Sequence, residues 1–481
     1  MKQIKFLGMC LVMLFLSSCE DTFLSPELNS GISSENYFTS EAEVETAVIN
    51  MYDGIQGVNA LKNTRADLNH GIQVEFYVTE MRSDNTRTKS QEGEASQFEF
   101  FNVEPTNGIV DDYYRSYYNV IFRANLILDN LEAAGNSKAQ FEGEAKFVRA
   151  YAYFNLVRLF GDVPLVDRIL SPLDKATSFT RIATDKIYNL IISDLETAIL
   201  NLDDSFKDRA SKAAAEGMLA KVFLTLKRYG EAQNLLESIM DPARGFALES
   251  DFKDIFYNEG NDETIFSIGF IEGSNDDSQN FSAEWLNAVG RTSGVNYVTE
   301  DARTVLDALG GNRAAFSYRL DPTQALQYQV VKYLPNGDTS LGIPVTSSDP
   351  TSAGNDWIVL RYADVLLMHV EAILGASNST ANANAISSFQ QIRNRAGLTT
   401  PVTAITKQEL LDERRVELAF ENHRFFDLVR MGEALEVLTT FSNTNGLQFT
   451  GTDLLLPIPQ REINLSPEDA SGKLLKQNPG Y

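Results

Sequence analysis

The sequence predicts a mainly α-helical protein, a scaffold of packed helical hairpins interrupted by an irregular, partly β-stranded insertion. Three observations predict it. Apolar residues recur at helical spacing over most of the chain. One pair of these helices carries the offsets of a tetratricopeptide unit. The stretch 245–356 breaks the helical pattern with many Gly, Asn, Asp and Ser.

The first eighteen residues belong to another category. Lys2 and Lys5 precede an eleven-residue apolar run from Phe6 to Leu16, too short to cross a bilayer and followed by small residues. This reads as a signal peptide over 1–18. Leu16-Ser17-Ser18-Cys19 has the form of a lipobox, which makes Cys19 the lipidated first residue of the mature chain. Cys10, the other cysteine, lies in the segment removed, so no disulfide and no thiolate metal site are expected. Residues 19–34 are polar, with Pro26, Asn29 and Gly31, and read as a linker leaving the membrane.

The body is expected over 35–481. Ser40 and Glu43 have the spacing of a capping box, and Val44, Val48, Met51 and Ile55 follow on one helical face. A long helix is expected over 110–131. The next, from Phe141 to Phe160, is apolar nearly all round and should be enclosed by neighbours, with Gly161 and Pro164 ending it. Further helices are expected at 184–202, 211–227, 230–240, 357–374, 381–396 and 407–431. Leu219, Ala220, Phe223, Tyr229, Ala232 and Leu236 carry the tetratricopeptide offsets, the alanines allowing close approach of two helices. This divides the body into a helical part (35–244, with tetratricopeptide-like units), an insertion (245–356) and a second helical part (357–481). Within the insertion, 263–270 and 327–331 read as strands.

Composition excludes several functions. The net charge is −25, and −27 once Lys2 and Lys5 are removed, which repels nucleic acid and leaves membrane attachment to the acyl chains. His70, His369 and His423 are scattered without a second ligand at metal spacing. No phosphate-cradling glycine loop or nucleophile elbow occurs, and nothing implies a cofactor. Glu413, Glu417 and Glu421 fall four apart among arginines. A structural ion-pair network is the better reading than a glycosidase pair, whose acid needs a raised pKa rather than a depressed one.

Several ordered segments together resemble the SusD/RagB family of surface nutrient-binding lipoproteins. They are 143–154 continuing through Gly161-Asp162-Val163-Pro164-Leu165, then 357–368 with Glu371-Ala372, and then 392–398. The run 412–430, the motif Leu456-Pro457-Ile458-Pro459 and the final Gln477-Asn478-Pro479-Gly480-Tyr481 complete the series. The resemblance implies a SusD-like fold on the outer face of a Gram-negative outer membrane. It further implies capture of glycans, or of peptides, for a SusC-like TonB-dependent transporter, without catalysis. Competing readings are a membrane-tethered helical-repeat scaffold that binds only proteins, and a glycoside hydrolase.

Candidate ligand contacts are aromatic residues in polar, irregular segments, because a flat ring stacks on a sugar face while amides and carboxylates bond its hydroxyls. Trp285 and Tyr297 in the insertion meet this description. Arg82, Asp84 and Asn85 lie in a loop that resembles a family segment near the ligand face. Trp357 is expected in the core.

Overall fold

The computed structural model describes residues 37–63, 69–88, 93–286, 296–322 and 327–481. The signal peptide, Cys19 and the linker lie outside the described residues. The first helix, α1 (Glu41–Gln56), buries Val44, Val48, Met51 and Ile55 as its spacing requires. Its start differs from the expected capping box. Ser40 is the N-cap but its hydroxyl bonds no helix amide; instead the Glu43 carboxylate accepts from the Thr39 amide (2.8 Å) and from the hydroxyls of Thr39 and Ser40.

After the two-residue strand β1 (Thr86–Arg87) and the short α2 (Gly93–Glu99) come α3 (Gly108–Asp129) and α4 (Lys138–Phe160). Helix α4 is buried on every face, packed against α1, α3 and the following α5 (Thr184–Asn201). Polar residues of its family-like segment serve this packing. Arg149 makes a bidentate pair with Asp194 of α5 (2.8 and 2.8 Å), and Glu144 accepts from Tyr52 and Arg209. At Gly161 the backbone takes φ +69°, a conformation costly for residues with a Cβ, and the helix stops.

Helices α6 (Lys212–Thr225) and α7 (Tyr229–Ile239) pack on each other with Ala220 and Ala232 fully enclosed. On α6, a Cβ at position 217 would lie 2.4 Å from Leu360, so the glycine there lets a strand pass close by. That strand is β8 (Trp357–Arg361), which pairs antiparallel with β4 (Thr264–Ile268). Residues 357–361 were expected to begin a helix. Trp357, Ile358 and Val359 are strand formers with a partner ladder available, and the helix, α9 (Tyr362–Leu374), starts only after them. Within 245–356 a second small ladder pairs β6 (Tyr318–Leu320) with β7 (Tyr328–Val330), and residues 300–309 form a helix.

Helix α10 (Ala383–Arg395) packs on α9, and a full capping box of Thr406 and Glu409 opens α11 (Lys407–Glu417). The expected helix over 407–431 is broken after Glu417. Phe420 (φ +66°) and Asn422 (φ +62°) adopt left-handed backbone before α12 (Arg424–Met431) resumes. The break turns Glu421 toward buried cations instead of along the helix face. One hydrophobic cluster runs from Val44 to Leu475 across both helical parts and β4.

The break is part of a buried ionic network. Arg361 at the end of β8 is 1% exposed and reaches Glu263 (2.7 Å), Glu417 (2.6 Å) and Glu421 (2.7 Å) at once. Arg395 also pairs with Glu263 and Glu417, Arg313 with Glu413 and Glu417, Arg393 with Glu413, and Lys332 with Glu421. Burial disfavours charge on Glu417, but Arg395, Arg361 and Arg313 overcome it and hold the carboxyl well below its usual range. Glu263 shares two of these arginines and sits above its usual value, because burial and the neighbouring Glu417 outweigh them. Removing one partner from such a network leaves the others charged and enclosed. We expect Arg361→Ala to lower unfolding stability by about 3–5 kcal/mol, read as a shifted midpoint in denaturant.

Candidate ligand-binding face

The five residues singled out as ligand contacts are placed very differently. Trp285 is fully buried, its ring against Phe76 (5.4 Å between centroids) and Phe420 (6.1 Å). It is a core residue in this structure and offers no stacking face. Arg82, Asp84 and Asn85 are at most 3% exposed, and their polar atoms are engaged within the protein. Arg82 donates to the carbonyls of Val78 and Asp453 and lies over the Phe425 ring. Asp84 is gripped by Arg424 (2.9 Å) and Arg415 (3.1 Å). Burial pushes its carboxyl up, but those two guanidinium groups prevail and hold it well below the usual carboxylate range. Asn85 accepts from Arg415 and donates to Glu80. As direct ligand contacts these three are corrected. A charged loop appears exposed in sequence, whereas here the charges are matched internally and fix the approach to β1.

Tyr297 alone of the five reaches the surface, half-buried on β5 (Tyr297–Val298). This strand pairs antiparallel with β1, placing Tyr297 opposite Arg87. Arg87 is held by the enclosed carboxylate of Glu99 (2.6 Å) and by Asn445 (3.2 Å), and Glu99 also accepts from the amide and hydroxyl of Thr88. Burial raises the Tyr297 phenol, with Arg87 opposing. Asn296, next to it, is fully enclosed, and among the described residues neither atom of its amide has a hydrogen-bond partner. Such a group costs about 1–3 kcal/mol unless something satisfies it.

Strand β5 also packs beside β7, which brings up two further half-exposed rings. Tyr328 meets Tyr318 edge-on at 5.8 Å, and Arg303 of α8 (Glu300–Leu309) lies 3.9 Å over the Tyr328 ring. Past Asn445 a groove of about 630 Å³ opens between Phe100–Pro105 and Gly446–Asp453. Phe101 in its wall holds φ +54° and packs edge-on to Phe449 (4.9 Å). The groove was missed in sequence. Its signal was present in Phe100-Phe101-Asn102, aromatic rings running into a polar, proline-ended turn, but the facing wall lies more than 340 positions away.

The face thus combines tyrosine rings, arginine donors and an open groove of ligand size, which Glu104 and Asp453 also line. Glu417 and Glu421 are shifted away from an acid's requirement, and Glu263 is fully enclosed. His70 pairs with Asp112, His369 with Ser388, and burial takes buried His423 down to about 3. Among the described residues no three His, Cys, Asp or Glu side chains converge as a metal site would.

Beneath this face Glu80 is fully buried, one oxygen bonded to Asn85 (2.8 Å) and the other, among the described residues, without a side-chain partner. Burial, aided by Asp84 and opposed by Asn85, pushes its carboxyl up to about 7. The folded state therefore holds this proton more tightly than the unfolded chain, whose Glu titrates near 4.5. Stability contributed by the neutral acid is complete below about pH 4.5 and is lost as pH rises to about 7, by something near 3 kcal/mol. We expect Glu80→Gln to flatten that loss, so that thermal midpoints of variant and parent diverge in the variant's favour between pH 5 and pH 8.

Comparison with known proteins gives a consistent result. A SusD family model matches residues 323–481, and a second model, described as starch-binding associating with outer membrane, matches residues 27–224. A SusD-like protein of Formosa agariphila is 28% identical over 514 aligned positions, covering 94% of each chain. Among solved structures, a laminarin binding SusD-like protein superposes with a TM-score of 0.75 at 25% identity, over 92% of this chain and 100% of that one. Surface glycan-binding protein A from Bacteroides fluxus gives 0.76 at 23% identity, over the same shares.

Proposed function

We propose that this chain, which belongs to the SusD/RagB family, captures oligosaccharides at the outer membrane surface and passes them to a SusC-like TonB-dependent transporter. It is a binding protein and not an enzyme. The observation that carries the reading is the half-exposed tyrosine set around Tyr297, with Arg87 opposite it on β1 and bonded to Asn445, the residue before the groove wall at Gly446. Flat rings take the apolar face of a sugar, and Arg87 and Arg303 supply donors for its hydroxyls. The laminarin-binding relative supports a glucan as a first ligand to try.

The body, residues 35–481, is held to the membrane by acyl chains on Cys19 through the linker 19–34. No helix among the described residues is long and apolar enough to cross a membrane. With a net charge of −25 the surface has no general attraction for anionic lipid, which leaves attachment to the acyl chains. Cys19→Ser should shift the protein from the membrane to the soluble fraction, and retention on the membrane would rule out lipid as its anchor.

Titration of the mature protein with laminari-oligosaccharides and a wider glycan and peptide panel tests the ligand. Tyr297→Ala should weaken the binding ligand about tenfold or more without lowering the thermal midpoint, and no product should accumulate. Isolation in mild detergent should recover a TonB-dependent transporter. Recovery of other proteins only, with no small ligand bound, would favour the protein-binding scaffold instead.

A further inference from the structure

A separate pocket of about 300 Å³ lies between α3, the strap 165–180 and the segment carrying Glu462 and Leu475. The strap is tied at its base by a two-residue ladder, Val163–Pro164 on Arg181–Ile182. Tyr114, Tyr118 and Phe122 fall four apart on α3 and give the pocket one strip of rings. Tyr114 meets Tyr118 at 4.9 Å and Phe160 at 5.0 Å, and the Tyr118 hydroxyl donates to the Pro164 carbonyl (2.7 Å), which orients its ring. Val166, Leu170 and Phe179 of the strap, with Leu475, complete the apolar lining. Phe122 is 50% exposed, and Leu173, between Leu170 and Phe179, is 91% exposed. Apolar side chains left in water around a concave apolar pocket mark a place that binds.

The polar groups of the lining decide what it binds. Each charged one has an opposite partner: Arg115 pairs with Asp111 (3.0 Å), Arg168 with Asp174 (2.9 Å) and Glu462 with Arg461 (3.4 Å). No charge is left over to recruit an ion. Hydrogen-bonding capacity remains, because a guanidinium carries several donors and a carboxylate two acceptor oxygens. Among the described residues Arg168 uses only Nη2 in its bond to Asp174. Glu462 is half-buried, and burial holds its carboxyl above the usual range, with Arg461 opposing and Asp111 adding to the effect. A strip of rings, spare donors and a half-enclosed acceptor together suit a small, uncharged, amphipathic molecule.

We propose that this pocket is a second sugar-binding site, which takes an uncharged mono- or disaccharide unit with its C–H face on Tyr118 and Phe122 and its hydroxyls on Arg168 and Glu462. None of its lining residues belongs to the Tyr297 face or to the groove at Phe100–Pro105, so the two sites act separately. On a long glycan the second site raises retention, because one bound segment holds the next at high effective concentration.

The test is titration of the mature Tyr297→Ala variant, in which the first face is disabled, with cellobiose, laminaribiose, maltose, mannobiose and xylobiose, followed by ligand-observed NMR. At least one disaccharide should saturate. Adding Phe122→Ala, a change at an exposed ring that should keep the thermal midpoint, should weaken that disaccharide about tenfold or more, and Phe122→Trp should restore it. Arg168→Gln should weaken it severalfold. Absence of any Phe122-dependent disaccharide would overturn the site. A sugar that the parent binds and that is lost with Tyr297→Ala but not with Phe122→Ala belongs to the first face, so either site can fail while the other stands. Phe122-dependent binding of anilinonaphthalene sulfonate, with none of the sugars, would overturn the sugar assignment in favour of an apolar ligand.

Discussion

The structure depends on Arg361. It ends the strand that the 245–356 segment pairs with, begins the helix α9, and reaches carboxylates on both sides of the broken helix after residue 407. A guanidinium presents donors in a fixed fork, so it can satisfy several carboxylates only if each arrives in its own direction. Glu263 comes from the insertion, Glu417 from the last turn of α11, and Glu421 from the left-handed stretch beyond. The network therefore specifies how three parts of the chain meet. Hydrophobic burial is non-directional and would tolerate more than one arrangement.

This also accounts for the two positive-φ residues between α11 and α12. Phe420 and Asn422 hold conformations that cost about 1–3 kcal/mol each, and such strain persists only where the surroundings over-determine it. Here Glu421 between them is engaged by Arg361 and Lys332, and Phe420 packs near Trp285. Continuous helix through 421 would take from Lys332 the carboxylate it pairs with and from Arg361 one of its three.

Much of the helical architecture could be read directly, because periodicity and end signals are local. The helices at 184–202, 211–227 and 230–240 lie within two residues of the expected bounds. The failures share a cause. Residues 357–361 become strand because β4, some 90 positions earlier, lies alongside, and the helix over 407–431 breaks because of charges contributed from 263, 332 and 361. Neither partner is visible in a local window. The candidate site shows the same limit. Arg82, Asp84 and Asn85 look solvent-facing by composition, yet Asp453, which Arg82 donates to, and Arg415 and Arg424, which hold Asp84 and Asn85, stand more than 300 residues away. Tyr297 stood out as a candidate because a ring beside an amide in an irregular stretch is a local feature, and it does reach the surface. The groove wall at 446–453 was not, since only the fold opposes it to Phe100.

The face around Tyr297 is built on strands of two and three residues joined to the scaffold by a few bonds, such as Arg87 to Glu99. The Arg361 network lies elsewhere and shares no residue with it. Substitutions around the rings can thus alter what is recognised while the folding determinants stay untouched, and the tolerance for change is concentrated where new ligands are met. A chain arranged in this way is evolvable in the strict sense. One framework can carry altered surface rings while the ionic network that orders its parts stays whole.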